Sequence, residues 1–173
     1  MVILGLAFAM PAVAAEDLIA GAMANFTLHA EPKPIADASF QDESAAPRRL
    51  SDFAGQILLV NLWATWCAPC RREMPGLDRL QEQLGGADFQ VLALAVDRGG
   101  AEKVTAFLKE IGIKHLKAFV DPTTKATRAL RAYGLPTTIV VGRDGRELGR
   151  MIGPAEWDTP EALRLLRHFI DDQ

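Results

Sequence analysis

The feature that most constrains the fold of this chain is a regular alternation of short apolar segments with amphipathic ones, beginning at Ile57. Four apolar segments are predicted to be strands: residues 57–63 and 89–96, whose continuous apolar runs indicate burial on both faces, the short segment 116–120, and the β-branched segment 137–141. Three segments between them repeat apolar residues with a helical period, at residues 70–84, 104–111 and 124–133. Strands that alternate with helices predict a mostly parallel sheet with helices on both faces.

The last quarter of the chain follows a different pattern. Residues 143–146 contain the Asp-Gly pair that hairpin turns favour. We therefore expect residues 148–152 to return antiparallel to the preceding strand. A final helix is predicted over residues 160–170, with a proline in its first turn. The sequence thus predicts an α/β domain whose sheet gains an antiparallel edge.

Composition and charge exclude several functional classes. The chain has 173 residues, 49% of them apolar and 24% charged, as expected for one globular domain. A net charge of −3 argues against nucleic-acid partners and against a polybasic membrane surface. Two cysteines are too few for a disulfide-dense scaffold, and the three histidines are poorly spaced for a structural zinc site; they are His29, His115 and His168.

The N-terminus has the pattern of an export signal. An apolar run over residues 2–10 ends at Pro11, and small residues at Ala12 and Ala14 resemble a signal-peptidase site. No basic residue precedes the run, so a membrane anchor that begins upstream of Met1 and a buried N-terminal helix stay open as alternatives. We assign residues 1–15 to a signal peptide or part of an anchor, 16–34 to a linker, and 35–173 to the folded domain.

The chemistry centres on Cys67 and Cys70, which follow a predicted buried strand at the start of a predicted helix. A helix N-terminus stabilises a thiolate and lowers its pKa, so we expect Cys67 to be the nucleophile. Cys70 is close enough to form a disulfide with Cys67 and to resolve a mixed disulfide with a partner. Pro69 suits the first helical turn and stiffens the loop.

Two simpler interpretations of this motif are weaker. A purely structural disulfide that closes so short a loop would stabilise the fold by only about 2 kcal/mol. As half of a metal site, it lacks a second ligand pair. Trp66 is either a core residue or an exposed docking ring. We expect Arg71, Arg72 and Glu73 to form a solvated helix face, with Glu73 paired locally, rather than a site for an anionic sulfur or an acidic partner.

Three stretches resemble the thioredoxin-like superfamily and, within it, the TlpA/ResA/CcmG group of exported thiol–disulfide oxidoreductases. They are residues 61–75 (NLWATWCAPCRREMP), 134–138 (GLPTT) and 153–157 (GPAEW). The resemblance extends over roughly residues 35–170, and its details are most similar to the TlpA-like members.

This resemblance implies a thioredoxin-like fold: a central mixed sheet with helices on both faces, an N-terminal extension, and a strand–helix insertion around residues 97–120. It implies that Pro136 is a cis-proline facing the cysteines and that Leu135 offers backbone groups to a partner's extended chain. The implied substrate-binding residues are Trp66, Ala68, Pro69, Leu135 and Pro136. It implies no metal and no cofactor beyond the redox-active disulfide Cys67–Cys70.

The resemblance also implies a cellular role. Members keep the cysteines of other exported proteins reduced, including apocytochrome c haem-attachment sites and copper-delivery proteins. Their electrons come from a membrane thiol donor of the DsbD/CcdA kind. We therefore expect a monomeric periplasmic thiol:disulfide oxidoreductase, secreted or anchored by its N-terminal segment, which acts on cysteine-containing client proteins.

Two residues depart from the family pattern. Asn61 stands where cytosolic thioredoxins place a buried Asp, and Ala68 stands where some cytochrome-maturation members carry a Glu. The base that deprotonates Cys70 is therefore unassigned from sequence. Ala68 favours a TlpA-like reductant of copper-delivery or cytochrome assembly factors over a dedicated cytochrome c maturation reductase, which stays an alternative.

Other activities on the same fold are also considered. A periplasmic oxidase or isomerase would use the same residues, because small differences in potential decide the direction. A copper-binding chaperone needs a wider cysteine spacing and a downstream histidine. A peroxidase needs a Pro-x-x-x-Thr-x-x-Cys pattern, whereas Thr65 lies two residues before Cys67.

Overall fold

The computed structural model describes residues 18–172, so the predicted signal peptide or anchor at residues 1–15 lies outside the described residues. The strands are β1 (Thr27–Lys33), β2 (Ser39–Gln41), β3 (Pro47–Arg49), β4 (Ile57–Trp63), β5 (Phe89–Ala95), β6 (Ala118–Val120), β7 (Thr137–Val141) and β8 (Glu147–Ile152). The α-helices are α1 (Ala68–Leu84), α2 (Gly100–Glu110), α3 (Lys125–Ala129) and α4 (Pro160–Asp172). Short 3₁₀ turns lie at Gly21–Met23 and Leu50–Phe53.

All eight strands form one mixed sheet in the order β1-β8-β7-β4-β5-β6-β2-β3. Only the β4–β5 and β5–β6 pairs are parallel, so the sheet is less parallel than the alternation of elements predicts. The reason lies in α3, whose five residues span only about 7 Å. The chain re-enters the sheet at the same end where it left β6, and β7 therefore runs antiparallel to β4.

Helices cover the two faces unequally. One face packs against α1, α2 and α4. The other face packs against α3 and the turn at Leu50–Phe53, and Phe40 of β2 belongs to this second core. Every residue of β4 is buried, because its alternate side chains face these two layers. The central mixed sheet with helices on both faces is confirmed, and residues 97–120, where the insertion is expected, contain α2 and β6.

The N-terminal residues differ from the linker expected at 16–34. Leu18, Met23 and Phe26 are buried in the main core, and β1 pairs with β8 at the edge of the sheet. At Gly149 of β8, a Cβ would lie 2.5 Å from the ring of Phe26. The absence of a side chain there lets the N-terminal chain pack directly against β8. The prolines that suggest a linker are compatible with an edge strand, which pairs on one side only.

Residues 39–49 contain two short antiparallel strands, β2 and β3, that the sequence does not predict. These three-residue strands are too short to show a period in the sequence. In residues 18–172 no helix is long and apolar enough to span a bilayer.

Candidate active site

Cys67 and Cys70 lie where β4 leads into α1, at the carboxyl end of the parallel strands. Cys67 is the N-cap of α1, and its Sγ accepts a hydrogen bond from the backbone N–H of Cys70 at 3.3 Å. The two sulfur atoms are bonded, 2.02 Å apart. Cys67 is 6% exposed and Cys70 is fully buried. Only the first sulfur is therefore open to a large partner, and it lies at the positive end of the α1 dipole.

A buried carboxylate fixes the turn that precedes Cys67. Asp97, two residues after the end of β5, accepts hydrogen bonds from the backbone N–H of Thr65 at 2.8 Å and from its hydroxyl at 2.6 Å. Lys103 of α2 donates to the same carboxylate at 3.0 Å. Burial raises the pKa of Asp97, but the hydrogen bonds from Thr65 and Lys103 outweigh it and hold that pKa below its usual range. Asp97 is thus an ionised anchor for the loop that carries the nucleophile.

A second buried carboxyl group lies on the Cys70 side. Glu73 is 4% exposed, and its Oε1 accepts from the backbone N–H of Ala155 at 2.7 Å and from the Trp157 indole at 3.2 Å. The prediction that Glu73 pairs locally on a solvated face is wrong, because the loop at residues 153–157 covers it. Burial raises its pKa to about 7, against the opposing effect of the hydrogen bonds from Ala155 and Trp157 and of the nearby Asn61 amide.

The geometry around Glu73 favours a proton on this group. Residues three apart on a helix lie on one face, so Glu73 and Cys70 are neighbours. Asn61 of β4 donates to the Thr138 hydroxyl at 2.9 Å. Oδ1 of Asn61 and Oε2 of Glu73 are buried acceptors without a hydrogen-bond partner among the described residues. A carboxylic acid proton on Glu73 supplies a donor beside these two unpaired acceptors.

The residues expected to bind substrate lie in two segments at the same end of the sheet, one around the cysteines and one before β7. Ala68 and Pro69 form the first turn of α1, and Trp66 is 69% exposed, so it is a surface ring rather than a core residue. The Leu135–Pro136 peptide bond is cis, as the resemblance implies. Pro136 is buried and Leu135 is half-buried, immediately before β7. Their roles in binding stay predictions.

The remaining candidates lie apart from this chemistry. Arg71 and Arg72 are exposed, as expected, and the guanidinium of Arg71 lies 5.1 Å from the centre of the Phe107 ring. Each of the three histidines has an acidic neighbour: His29 with Glu147, His115 with Glu82 and His168 with Asp172. Within residues 18–172, no group of three or more His, Cys, Asp or Glu side chains is placed to hold a metal ion.

Sequence reasoning missed the roles of Glu73 and Asp97, although signals for both were present. Glu73 follows Cys70 by one helical turn and therefore shares its buried face. Asp97 comes two residues after the end of β5, which runs parallel to β4, so it lies at the same end of the sheet as Thr65. The burial of Glu73 was harder to predict, because it depends on residues 82 and 84 positions further along the chain.

Comparison with known proteins agrees with this geometry. A family model described as Redoxin matches residues 30–166. The chain is 33% identical over 132 residues to the thiol:disulfide interchange protein CycY of Rhizobium leguminosarum bv. viciae, a match that covers 72% of this chain and 68% of CycY. It is 31% identical over 104 residues to the thiol-disulfide oxidoreductase ResA of a Bacillus cereus strain, over 60% of this chain and 59% of ResA.

A solved structure supports the fold. The crystal structure of a putative thiol:disulfide interchange protein DsbE from Chlorobium tepidum superposes with a TM-score of 0.71 at 23% identity, covering 81% of this chain and 97% of that one. At this identity the likeness establishes the fold alone. The sequence match spans about two thirds of CycY and less of ResA, so clients and partners are not transferred from these relatives.

Proposed function

The chain belongs to the Redoxin family and is a thiol:disulfide oxidoreductase of the TlpA/ResA/CcmG group, and from that premise we propose that it reduces disulfides in exported client proteins. The observation that carries the proposal is the unequal placement of the two sulfurs. Cys67 caps α1 beside an exposed ring, whereas Cys70 is fully buried behind it. This arrangement suits a nucleophile that meets the client and a second thiol that acts from inside.

The first step is attack by the Cys67 thiolate on one sulfur of a client disulfide. A bond forms between Cys67 Sγ and that sulfur, and the client's S–S bond breaks. The other client sulfur leaves as a thiolate and takes a proton from solvent. The client is then held as a mixed disulfide next to Leu135 and Pro136.

The second step is resolution by Cys70, and Glu73 is the proton acceptor that this step needs. Glu73 accepts the proton of the Cys70 thiol, and the resulting thiolate attacks Cys67 Sγ. The mixed disulfide breaks, and the client's second sulfur leaves as a thiolate that is protonated. The client has gained two electrons and two protons, and the Cys67–Cys70 disulfide has formed. A pKa of about 7 suits Glu73 to this role because it can both take and release a proton near neutral pH.

We further propose that the protein is exported to the periplasm and that a membrane thiol donor of the DsbD/CcdA kind restores the dithiol. Copper-delivery and cytochrome assembly factors are the proposed clients. These parts are supported by the apolar run and small-residue site at the N-terminus and by the family resemblance.

Two measurements test the proposal. The reduction potential of the Cys67–Cys70 pair in glutathione buffers is expected to be strongly reducing, near that of thioredoxin at about −270 mV. A value near −120 mV, typical of strong oxidants, would overturn the direction of electron flow. The Cys70→Ser variant is expected to accumulate covalent complexes with envelope proteins in cells, and the double variant Cys67→Ser/Cys70→Ser none. Complexes that form equally in both would contradict attack by Cys67.

A further inference from the structure

Few large apolar side chains are exposed in the described part of this protein. In residues 18–172, only Trp66, Tyr133 and Ile152 are large hydrophobic residues with strongly exposed side chains, at 69%, 88% and 70%. Exposed apolar side chains that converge on one place, rather than being scattered singly, mark an interaction surface. Trp66 adjoins Cys67 and is already assigned to substrate binding, but Tyr133 and Ile152 have no role so far.

The backbone places Tyr133 and Ile152 on either side of the cis peptide bond. Tyr133 lies two residues before Leu135. Ile152 ends β8 as the Cα partner of Thr137, the residue after Pro136. The next residue, Gly153, donates its backbone N–H to the Pro136 carbonyl at 2.9 Å. Both residues therefore lie in backbone segments that adjoin the Leu135–Pro136 peptide bond.

The backbone of Leu135 indicates that the ligand of this surface is an extended peptide. Among the hydrogen bonds of the described residues, none uses the N–H or C=O of Leu135. An unpaired donor and acceptor on a half-buried residue next to a strand can pair with an extended peptide, which then alternates its side chains along the surface. An extended segment bonded at Leu135 would place flanking side chains beside Tyr133 and Ile152.

The charged residues around this surface are of both signs. Arg131, two residues before Tyr133, is exposed, as are Arg71 and Arg72 near the cysteines. Arg150, two residues before Ile152, is engaged by Glu147, to which it donates at 2.6 Å. Arg71 also lies over the Phe107 ring, and Glu156, three residues after Gly153, is an exposed acidic residue. Charges of both signs therefore flank the surface, and its exposed apolar side chains are what select a ligand.

We infer that Tyr133 and Ile152 form a specificity-determining subsite for an aromatic or aliphatic side chain that flanks the attacked cysteine of an extended client segment. The inference rests on the proposed exchange at Cys67 and adds the substrate class. Tyr133 supplies a large, stiff ring with little side-chain entropy to lose on binding. Clients with an apolar residue beside the cysteine are captured faster than clients with a small polar one.

The test compares two synthetic peptides that differ only in the flanking residues of an internal disulfide, Phe-Cys-Ala-Ala-Cys-Phe and Ser-Cys-Ala-Ala-Cys-Ser. The ratio of their second-order rates of reduction by the reduced protein is measured for each variant. Because both rates come from the same variant, a general loss of folding or nucleophilicity cancels in the ratio. The wild type is expected to prefer the phenylalanine peptide about tenfold, as for an interface hot spot.

The variants then locate this preference. Tyr133→Ser/Ile152→Ser is expected to bring the ratio close to one, whereas Tyr133→Phe keeps it because the ring is retained. Glu110→Ser, an exposed substitution at the end of α2, serves as a control and keeps the wild-type ratio. A double variant that keeps the full preference, or a wild type that reduces both peptides at one rate, overturns the subsite and leaves the exchange reaction standing. A wild type that reduces neither peptide overturns the proposed function itself.

Discussion

The two cysteines are each backed by a buried carboxyl group, and the two groups are in opposite states. Asp97, on the Cys67 side, is 1% exposed and is held ionised by Thr65 and Lys103. Glu73, on the Cys70 side, is 4% exposed, has no cation among its hydrogen-bond partners in the described residues, and has a pKa raised to about 7. Burial raises the pKa of both groups, and only at Asp97 do the hydrogen bonds and a cation outweigh it.

The comparison separates positioning from proton transfer. A carboxylate that stays charged holds a loop, because its hydrogen bonds to Thr65 persist at every functional pH. A carboxyl group poised near neutrality can exchange a proton with Cys70 but weakens the fold once it ionises. Asp97 thus fixes the turn from which Cys67 attacks. Glu73 provides the titratable group that Cys70 needs for resolution.

The largest expected effect is on the pH dependence of stability, through Glu73. Its pKa in the folded state, about 7, lies above the value of 4.5 for an unperturbed Glu. Its contribution is therefore fully present below pH 4.5 and is lost as the pH rises to 7, by about 3 kcal/mol in total. Urea unfolding of the oxidised Glu73→Gln variant is expected to show that much more stability than the wild type at pH 8, and little difference at pH 5. A constant difference across this range would contradict a raised pKa.

The same substitution is expected to impair catalysis. Removing a general base slows proton transfer by about a hundredfold or more, which corresponds to about 2.7 kcal/mol in the barrier. Stopped-flow measurement of mixed-disulfide resolution at pH 7 is expected to show this loss in Glu73→Gln, while the first attack by Cys67 is far less affected. A Glu73→Gln variant that is more stable but slower would show that Glu73 serves catalysis at a cost in stability. Resolution at the wild-type rate would remove Glu73 from the mechanism.

Asp97 is expected to show the opposite pattern. Asp97→Ala leaves the buried N–H of Thr65 without an acceptor and should destabilise the protein by about 2 kcal/mol at pH 7. The pKa of Asp97 is lowered in the folded state, so this contribution is present above pH 3.8 and is lost as the pH falls through the folded pKa. Denaturant titration of Asp97→Ala beside Asp171→Ala, an exposed control, measures the difference. Equal stability of the two variants would show that Asp97 does not anchor the turn.

The smallest expected effect belongs to Lys103. Its side chain is 54% exposed, so its ion pair with Asp97 is screened by solvent and contributes about 0.5 kcal/mol. Lys103→Met, which keeps most of the side-chain length, is expected to lower stability by that amount and to raise the pKa of Asp97 slightly. A loss as large as that of Asp97→Ala would mean that the charge pair, rather than the bonds to Thr65, holds the loop.

The parts of the molecule that leave a local pattern in the sequence were predicted, whereas those that depend on residues far apart in the chain were not. The central strands β4, β5 and β7 were predicted because burial on both faces leaves a continuous apolar run. The edge strand β1 was missed, because its residues are partly polar and its partner β8 lies more than a hundred residues away. The cysteine pair was predicted from local spacing, whereas the state of Glu73 is set by residues 153–157 closing over it.

The most direct test of the account follows the two carboxyl groups by carbon-13 NMR of the oxidised protein between pH 3 and 9. The account predicts a midpoint of about 7 for Glu73 and a midpoint below 3.8 for Asp97. A Glu73 carboxyl that titrates near 4.5, like a solvated side chain, would contradict the division of roles between the two cysteines.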